Sequence, residues 1–289
     1  MAENSTIVGR YAPSPTGTLH LGNVRTAILA WLHARLHQGV FYLRMEDLDT
    51  PRTVAGSAAA IVNDLQWLGL DWDSDIVYQS QRDSLYESAL FELKERGLIY
   101  PCFCSRKDIQ QAASAPHVPP GIYPGTCANL TQDEIQQRQK NKTPAYRVRA
   151  DASLQDSLGD FVVKRADGLF AYQLAVVVDD IAQGITHVVR GNDLADSAER
   201  QRYLASLLAP SRAPIIYLHA PLMLDSSGNR LSKRDGSDSL DTIREQNITA
   251  PELIGQLMFD LKLVNSPAAI SLDDLRIKVS ITAITALLT

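Results

Sequence analysis

The stretch Arg10-Tyr11-Ala12-Pro13-Ser14-Pro15-Thr16-Gly17-Thr18-Leu19-His20-Leu21-Gly22-Asn23 is built to hold a phosphate. An arginine closes an apolar strand, two prolines and two glycines shape a loop, and His-Leu-Gly-Asn opens a helix. The free backbone N–H groups and the dipole at a helix N-terminus favour negative charge. Three other clusters carry chemistry. Arg230-Leu231-Ser232-Lys233-Arg234-Asp235-Gly236, read alone, is a basic surface loop. Arg190-Gly191-Asn192-Asp193-Leu194, with Ser197, Arg200 and Gln201, puts an arginine at a strand end and a glycine turn before a helix. Cys102-Phe103-Cys104, followed by Cys127 across a polar, proline-rich loop, favours zinc over three buried structural thiols. Three thiolates leave one tetrahedral position, for which His117 and Tyr123 are the candidates, imidazole being the commoner ligand. A site closed in this way is structural rather than catalytic.

The elements that must position these residues follow from periodicity. Thr6–Val8 reads as a buried strand, Asn23–His37 as a long amphipathic helix with apolar residues at Val24, Ile28, Leu32 and Leu36, and Val40–Met45 as a second strand. Gly39 stops the helix. The result is a βαβ unit with Glu46, Asp47 and Asp49 at the carboxyl edge, where doubly wound sheets bind ligands. Helices are expected near 55–68 and 82–96. Strand-like runs follow at Tyr146–Arg149, Phe161–Lys164 and Phe170–Val178, the last two joined by the turn signal Asp167-Gly168. Thr186–Arg190 and Pro214–Leu218 resume the parallel pattern, with a helix near 194–208 between them, and the chain after 237 reads as helical. The expected fold is α/β: a Rossmann-like doubly wound parallel sheet with a β-rich, zinc-containing insertion and a short helical C-terminal region. The division is 1–98, 99–185, 186–240 and 241–289.

Composition narrows the class. The 289 residues are 45% hydrophobic and 21% charged, ordinary for a soluble globular protein. No apolar run approaches a membrane span and no secretory signal is visible, so the cytoplasm is the expected location. Three cysteines without an export signal argue against a disulfide framework. With a net charge of -5, any RNA contact needs a local basic patch rather than the global field.

The string Pro13–Asn23 resembles the "HIGH" signature of class I aminoacyl-tRNA synthetases in its glutamyl/glutaminyl form. Arg230–Gly236, placed after the last strand, resembles their "KMSKS" signature. Arg190-Gly191-x-Asp193-Leu194 with the later Ser197 and Arg200-Gln201 resembles glutamyl-tRNA synthetases in particular. The resemblance covers about residues 5–250. It implies that His20 donates a hydrogen bond to an ATP phosphate, that Gly22 and Asn23 line the nucleotide site, and that Lys233 neutralises departing pyrophosphate together with Mg²⁺. Arg10 and Arg190 hold the two carboxylates of L-glutamate, in an order left open, since guanidinium binds carboxylate bidentately. Tyr11, Ala12, Pro13 and Ser14 line the same pocket, Glu46 meets the substrate ammonium, and Tyr172 matches the family's pocket tyrosine. Tyr172 could also be a core aromatic on a strand. Cys102, Cys104, Tyr123 and Cys127 then form the zinc site, Tyr123 matching by its Tyr-x-x-x-Cys spacing.

About fifty residues follow the Lys233 loop, too few for the family's large helical anticodon-binding region. The chain therefore resembles a truncated branch of that family. There, glutamate activated by ATP passes to the queuosine base in the anticodon of tRNA(Asp), the insertion at 99–185 contacts the RNA, and no protein nucleophile is required. Alternatives are an abbreviated glutamyl-tRNA synthetase charging the 3′ end of tRNA(Glu), or a protein that binds ATP and glutamate without transfer. A nucleotidylyltransferase is disfavoured because the Arg190 motif has no place in one. No protein partner or membrane is implied.

Overall fold

The computed structural model describes residues 6–105, 107–109, 122–155, 157–223 and 239–289. In chain order the elements begin with β1 (Val8–Tyr11), α1 (Leu21–Leu36), β2 (Val40–Met45), α2 (Ser57–Trp67), β3 (Val77–Tyr78), α3 (Asp83–Glu95) and β4 (Ile99–Cys102). They continue with α4 (Gln132–Gln139), β5 (Ala145–Val148), β6 (Phe161–Lys164), α5 (Tyr172–Ala182), β7 (His187–Gly191), α6 (Ser197–Leu208) and β8 (Ile216–Ala220). Four helices close the chain: α7 (Leu240–Glu245), α8 (Ala250–Asp260), α9 (Leu272–Lys278) and α10 (Ile281–Leu288). None of the described helices is long and apolar enough to cross a membrane. The chain divides into two compact units, one of Met1–Gln81, Gly184–Ala195 and Ile215–Thr289, the other of Arg82–Gln183 and Asp196–Pro214.

The first unit carries the parallel strands. β1 pairs with β2 in register Val8↔Val40 to Tyr11↔Leu43, and β2 pairs with β3. β7 pairs with β8 from His187↔Ile216 to Gly191↔Ala220. These two ladders meet at one point. Thr186 N–H donates to the Val8 carbonyl at 2.9 Å, and Val8 N–H donates to the Thr186 hydroxyl at 2.9 Å. Gly9 then lies beside His187, so β1 and β7 advance together and end at the same edge. That is the switch point of a doubly wound sheet, where ligands bind.

The first strand ends three residues later than its sequence suggests, running from Val8 through Arg10 to Tyr11. Gly39 has a different role from the one its position suggests. The left-handed turn after α1 belongs to Gln38 (φ 53°), whereas a Cβ on Gly39 would lie 2.3 Å from the Ile7 carbonyl oxygen. Glycine is needed there for close strand approach. Nor is α1 simply amphipathic. Ala27, Ile28, Leu29, Trp31, Leu32 and Ala34 are all buried, because α1 packs on β1, β2 and β7 on one side and on α9 and α10 on another. A helix apolar all round is a core helix.

The second unit holds an antiparallel sheet in the order β4-β5-β6, with α3, α5 and α6 packed together. Here the expectation of a strand at Phe170–Val178 fails. The Asp167-Gly168 turn does form, with Gly168 at φ 92° and Arg165 N–H donating to Leu169 O, but its second arm ends in a single bridge, Lys164↔Phe170. The rest is helix α5. An unbroken apolar run has no period to separate a buried strand from a buried helix. Burial of Leu174 to Val178 settles it here, overriding the β-preference of three valines. Asp179 on α5 is tied to α3 by Arg82 at 2.6 Å and the Tyr86 hydroxyl at 2.9 Å.

At the edge of the first unit away from the strand ends, His33 of α1 is buried with its ring centre 4.7 Å from that of His37 and 5.4 Å from that of His187. Burial, reinforced by both neighbours, pushes the His33 imidazole down to about 4. Between pH ~6.5 and ~4 the unfolded chain takes up a proton that the folded chain refuses, so this contribution is intact above the unfolded value and is lost as pH falls. The shift corresponds to ~3 kcal/mol. Urea unfolding at pH 7.5 and pH 4.5 should show a steep acid-side loss of stability that His33→Asn flattens; parallel losses in both proteins would remove His33 from this role.

Candidate active site

The loop between β1 and α1 is pinned on every side. The Tyr11 hydroxyl donates to Asn23 O at 3.3 Å. Burial drives this phenol well above its ordinary range, so it stays a neutral donor. Glu46 N–H donates to Pro13 O and Val54 N–H to Pro15 O, both at 2.9 Å. Gly17, at φ 134°, exchanges two bonds with the Ser57 hydroxyl at the start of α2, at 3.1 and 2.6 Å. These ties hold the loop in shape before any ligand arrives, so less ordering is needed on binding.

His20 is the N-cap of α1. Its Nδ1 accepts from Asn23 N–H at 3.3 Å. An accepting Nδ1 is unprotonated, so a neutral ring carries its proton on Nε2 and presents a donor. Gly22 makes room for that ring, since a Cβ there would lie 3.0 Å from it. The first turn of α1 contains no acid to compensate the helix dipole. His20 also bridges Ser239, which brings the chain emerging from residues 224–238 to the helix start. Lys233 itself, with the rest of the Arg230–Gly236 motif, lies outside the described residues.

Arg10 on β1 and Arg190 on β7 reach the same edge of the sheet from the two sides of the switch point, and both are buried, at 5% and 3% exposure. The Arg190 guanidinium lies 4.6 Å from the centre of the Tyr217 ring, and Arg190 stands opposite His219 in the β7–β8 ladder. Glu46 follows directly on β2 and faces Arg44 at 3.5 Å. Arg44 is wholly buried, at 0% exposure. A buried carboxylate is costly unless a fixed cation holds it, so Arg44 orients Glu46 and offsets its burial. Ala12, Pro13 and Ser14 belong to the pinned loop; Pro13 is buried and Ser14 is exposed. The arrangement is suited to a small zwitterion with an extra carboxylate, set beside an anion-favouring helix N-terminus.

Arg44, Tyr217 and His219 were not picked out from the sequence. Arg44 did carry a signal, a lone charge inside the apolar run Val40–Met45, which must be partnered if the strand is buried. Tyr217 and His219 carried none, because cross-strand register determines what they stand beside.

In the second unit, Tyr172 is the first residue of α5 and 40% exposed. That excludes the reading of a core aromatic on a strand and places Tyr172, partly exposed, at a helix N-terminus. Elsewhere in the same unit, Cys102, Cys104 and Cys127 bring their sulfurs within 4.8 Å of one another. Cys104 Sγ lies 3.7 Å from Cys127 Sγ. The Tyr123 hydroxyl oxygen is 3.3 Å from Cys102 Sγ and 3.4 Å from Cys104 Sγ. Thiolates bound at about 2.3 Å around a tetrahedral cation lie roughly 3.8 Å apart, and an oxygen ligand lies roughly 3.5 Å from each sulfur. These three distances match a tetrahedral site, and with all three sulfurs within 4.8 Å of one another the cluster could hold one divalent metal. His117 lies outside the described residues. Burial opposes ionisation of Cys102, but the Tyr123 hydroxyl and the nearby Arg147 guanidinium outweigh it and hold that thiol below its usual value. Burial pushes Cys104 up to about 11.

The whole arrangement has close relatives among known proteins. A glutamyl-Q tRNA(Asp) synthetase of Nocardia farcinica is 49% identical over 265 residues, covering 87% of this chain and 83% of the relative. One from Prochlorococcus marinus is 42% identical over 267 residues, covering 92% and 86%. Among solved structures, a glutamate tRNA ligase from Elizabethkingia meningosepticum in complex with its amino acid superposes with a TM-score of 0.78 at 26% identity, over 96% of this chain. The chain spans 66% of that ligase's length. Residues 6–258 match the family described as tRNA synthetases class I (E and Q), catalytic domain. With its α/β fold and parallel sheet, the chain belongs to this class I tRNA synthetase family and is an aminoacyl-tRNA-synthetase-like ligase.

Proposed function

We propose that this ligase activates L-glutamate with ATP and transfers the glutamyl group to the queuosine base in the anticodon of tRNA(Asp). The observation that carries the amino-acid half is the pair of buried guanidinium groups, Arg10 and Arg190, at adjacent strand ends. Two carboxylates on one substrate need two such partners, and glutamate has them. The acceptor half is supported by the names of the relatives at 42–49% identity.

In this reading, one glutamate carboxylate oxygen attacks the α-phosphorus of ATP. An O–P bond forms, the α–β bridging bond breaks, and pyrophosphate leaves. His20 Nε2–H, the first turn of α1 at Gly22 and Asn23, Lys233 and Mg²⁺ carry the phosphate charge, which is electrostatic stabilisation of the kind that dominates such steps. Glu46, held by Arg44, receives the ammonium. Tyr11, Ala12, Pro13, Ser14 and Tyr172 shape the pocket. A hydroxyl of the modified base then attacks the carbonyl carbon of the mixed anhydride, AMP leaves, and the hydroxyl proton is released. Cys102, Cys104, Tyr123 and Cys127 would hold a zinc ion, which would brace the insertion structurally. A second reading, charging of the tRNA(Glu) 3′ end, is favoured by the superposition on a solved glutamate tRNA ligase.

Glutamate-dependent ATP–pyrophosphate exchange should be present. Labelled glutamate should pass to queuosine-containing tRNA(Asp) but not to unmodified tRNA(Asp) or tRNA(Glu); charging of tRNA(Glu) alone would establish the second reading. Replacing Arg190 by Gln should raise KM for glutamate roughly 10- to 150-fold, the loss of a charge-assisted bond. Lys233→Ala should instead slow exchange about 100-fold or more with glutamate binding unchanged, and a normal exchange rate in that variant would refute the role. For the metal, elemental analysis should find one zinc per chain. Cys104→Ala should lower both zinc content and Tm, and full occupancy in that variant would show that the cluster is not the ligand set.

A further inference from the structure

Residues 135–150 carry five cations, Arg138, Lys140, Lys142, Arg147 and Arg149, and no acid, in a chain whose net charge is -5. Three of them converge on the cysteine cluster. Lys142 Nζ donates to Phe103 O at 2.5 Å, between Cys102 and Cys104. Arg149 donates to Ala128 O at 2.6 Å, next to Cys127. Arg147 is the most direct. It is 8% exposed, and its guanidinium carbon lies 3.8 Å from the centre of the Tyr123 ring. The β5–β6 register shifts between Tyr146 and Arg147, so that Arg147 stands opposite Val162; such irregularities re-aim a side chain.

Arg147 is not held there by an ordinary ion pair. It donates to the backbone carbonyl of Asp160 at 3.0 Å. The Asp160 carboxylate is occupied instead by neutral donors: the Tyr100 hydroxyl, Ala150 N–H at 2.8 Å and Gln155 Nε2 at 3.0 Å. The positive charge is thus left facing Tyr123 and the neighbouring Cys102 thiol. Three thiolates and a phenolate around a divalent cation carry two negative charges in excess, which burial penalises. A guanidinium stacked on the phenol ring offsets one of them, and its attraction grows as the ring gains charge.

We propose that Arg147 is the outer counter-charge of an anionic Cys₃Tyr metal site, positioning Tyr123 and stabilising it as a ligand, with Lys142 and Arg149 bracing the backbone on either side. This rests on the metal reading of the cluster. It assigns the acid-free stretch chiefly to the metal module, leaving Arg138 and Lys140 as its solvent-facing cations.

The test is competition for zinc between a chromophoric chelator and the full chain. Arg147→Met should bind zinc about 10- to 100-fold more weakly, the usual cost of losing an outer-shell partner, and Arg147→Lys should recover part of that. In a Tyr123→Phe background the Arg147→Met loss should shrink severalfold, because most of the charge acts through Tyr123, and what remains is the part that reaches Cys102 directly. Unchanged zinc affinity in Arg147→Met, or an equal loss in both backgrounds, would overturn the proposal; the second result marks a merely structural residue. If Arg147→Met does not fold, the same comparison is made with Arg147→Lys, whose smaller loss must likewise shrink without Tyr123. A wild-type chain that binds no zinc would overturn the metal reading itself, and this proposal with it.

Discussion

Val8 and Thr186 exchange two hydrogen bonds, one of them through the threonine hydroxyl, and this joins the two parallel ladders of the first unit. The junction lies at the amino ends of β1 and β7. Both strands leave it in the same direction, so their carboxyl ends, with Arg10 and Arg190, open on one edge. A parallel sheet whose connections run outward on both sides has a crevice at that edge for topological reasons. The loop at Arg10–Asn23 is the connection that leaves from it, which is why an anion-favouring helix N-terminus and two buried guanidinium groups fall in one place.

Buried charge is the second organising constraint. Arg44 beside Glu46 and Arg147 against Tyr123 each put a guanidinium where water hardly screens it, and the partly exposed Arg82 reaches the fully buried Asp179 carboxylate. Such groups persist only when their partners are fixed by neighbouring elements. Arg44 fixes the orientation of Glu46, Arg82 ties α3 to α5, and Arg147 lies against Tyr123 and lowers the pKa of the Cys102 thiol. In each case, one side chain joins packing to a local chemical property.

Several elements were legible from periodicity and turn chemistry alone: the βαβ unit, the strands expected at Thr186–Arg190 and Pro214–Leu218 and found one and two residues further on, at His187–Gly191 and Ile216–Ala220, the hairpin turn at Asp167-Gly168, and the helical C-terminal stretch. The error at Phe170–Val178 has a physical cause, since a run buried on all sides shows no period. The extent of burial around α1 was also missed, because the side covered by α9 and α10 depends on residues more than two hundred positions away. Among the site residues, the loop and the cysteine spacing were readable because local sequence sets them. Arg44 was readable in principle. Tyr217, His219 and Arg147 were not, because their significance comes from strand register.

The sequence by itself determined the kinds of group available: a loop that opens a helix with a histidine cap, arginines at strand ends, and three thiols with a tyrosine four residues before the last. These are local properties, carried by residue type and short spacing. Tertiary structure decided which of them meet. It put Arg44 on Glu46, gave His20 a capping bond that leaves its other nitrogen as the donor, turned a valine-rich run into a helix that exposes Tyr172, and aimed Arg147 at Tyr123 through a shifted register. Those outcomes depend on contacts between distant parts of the chain, where burial and the need to pair every charge select one arrangement from many that the local sequence allows.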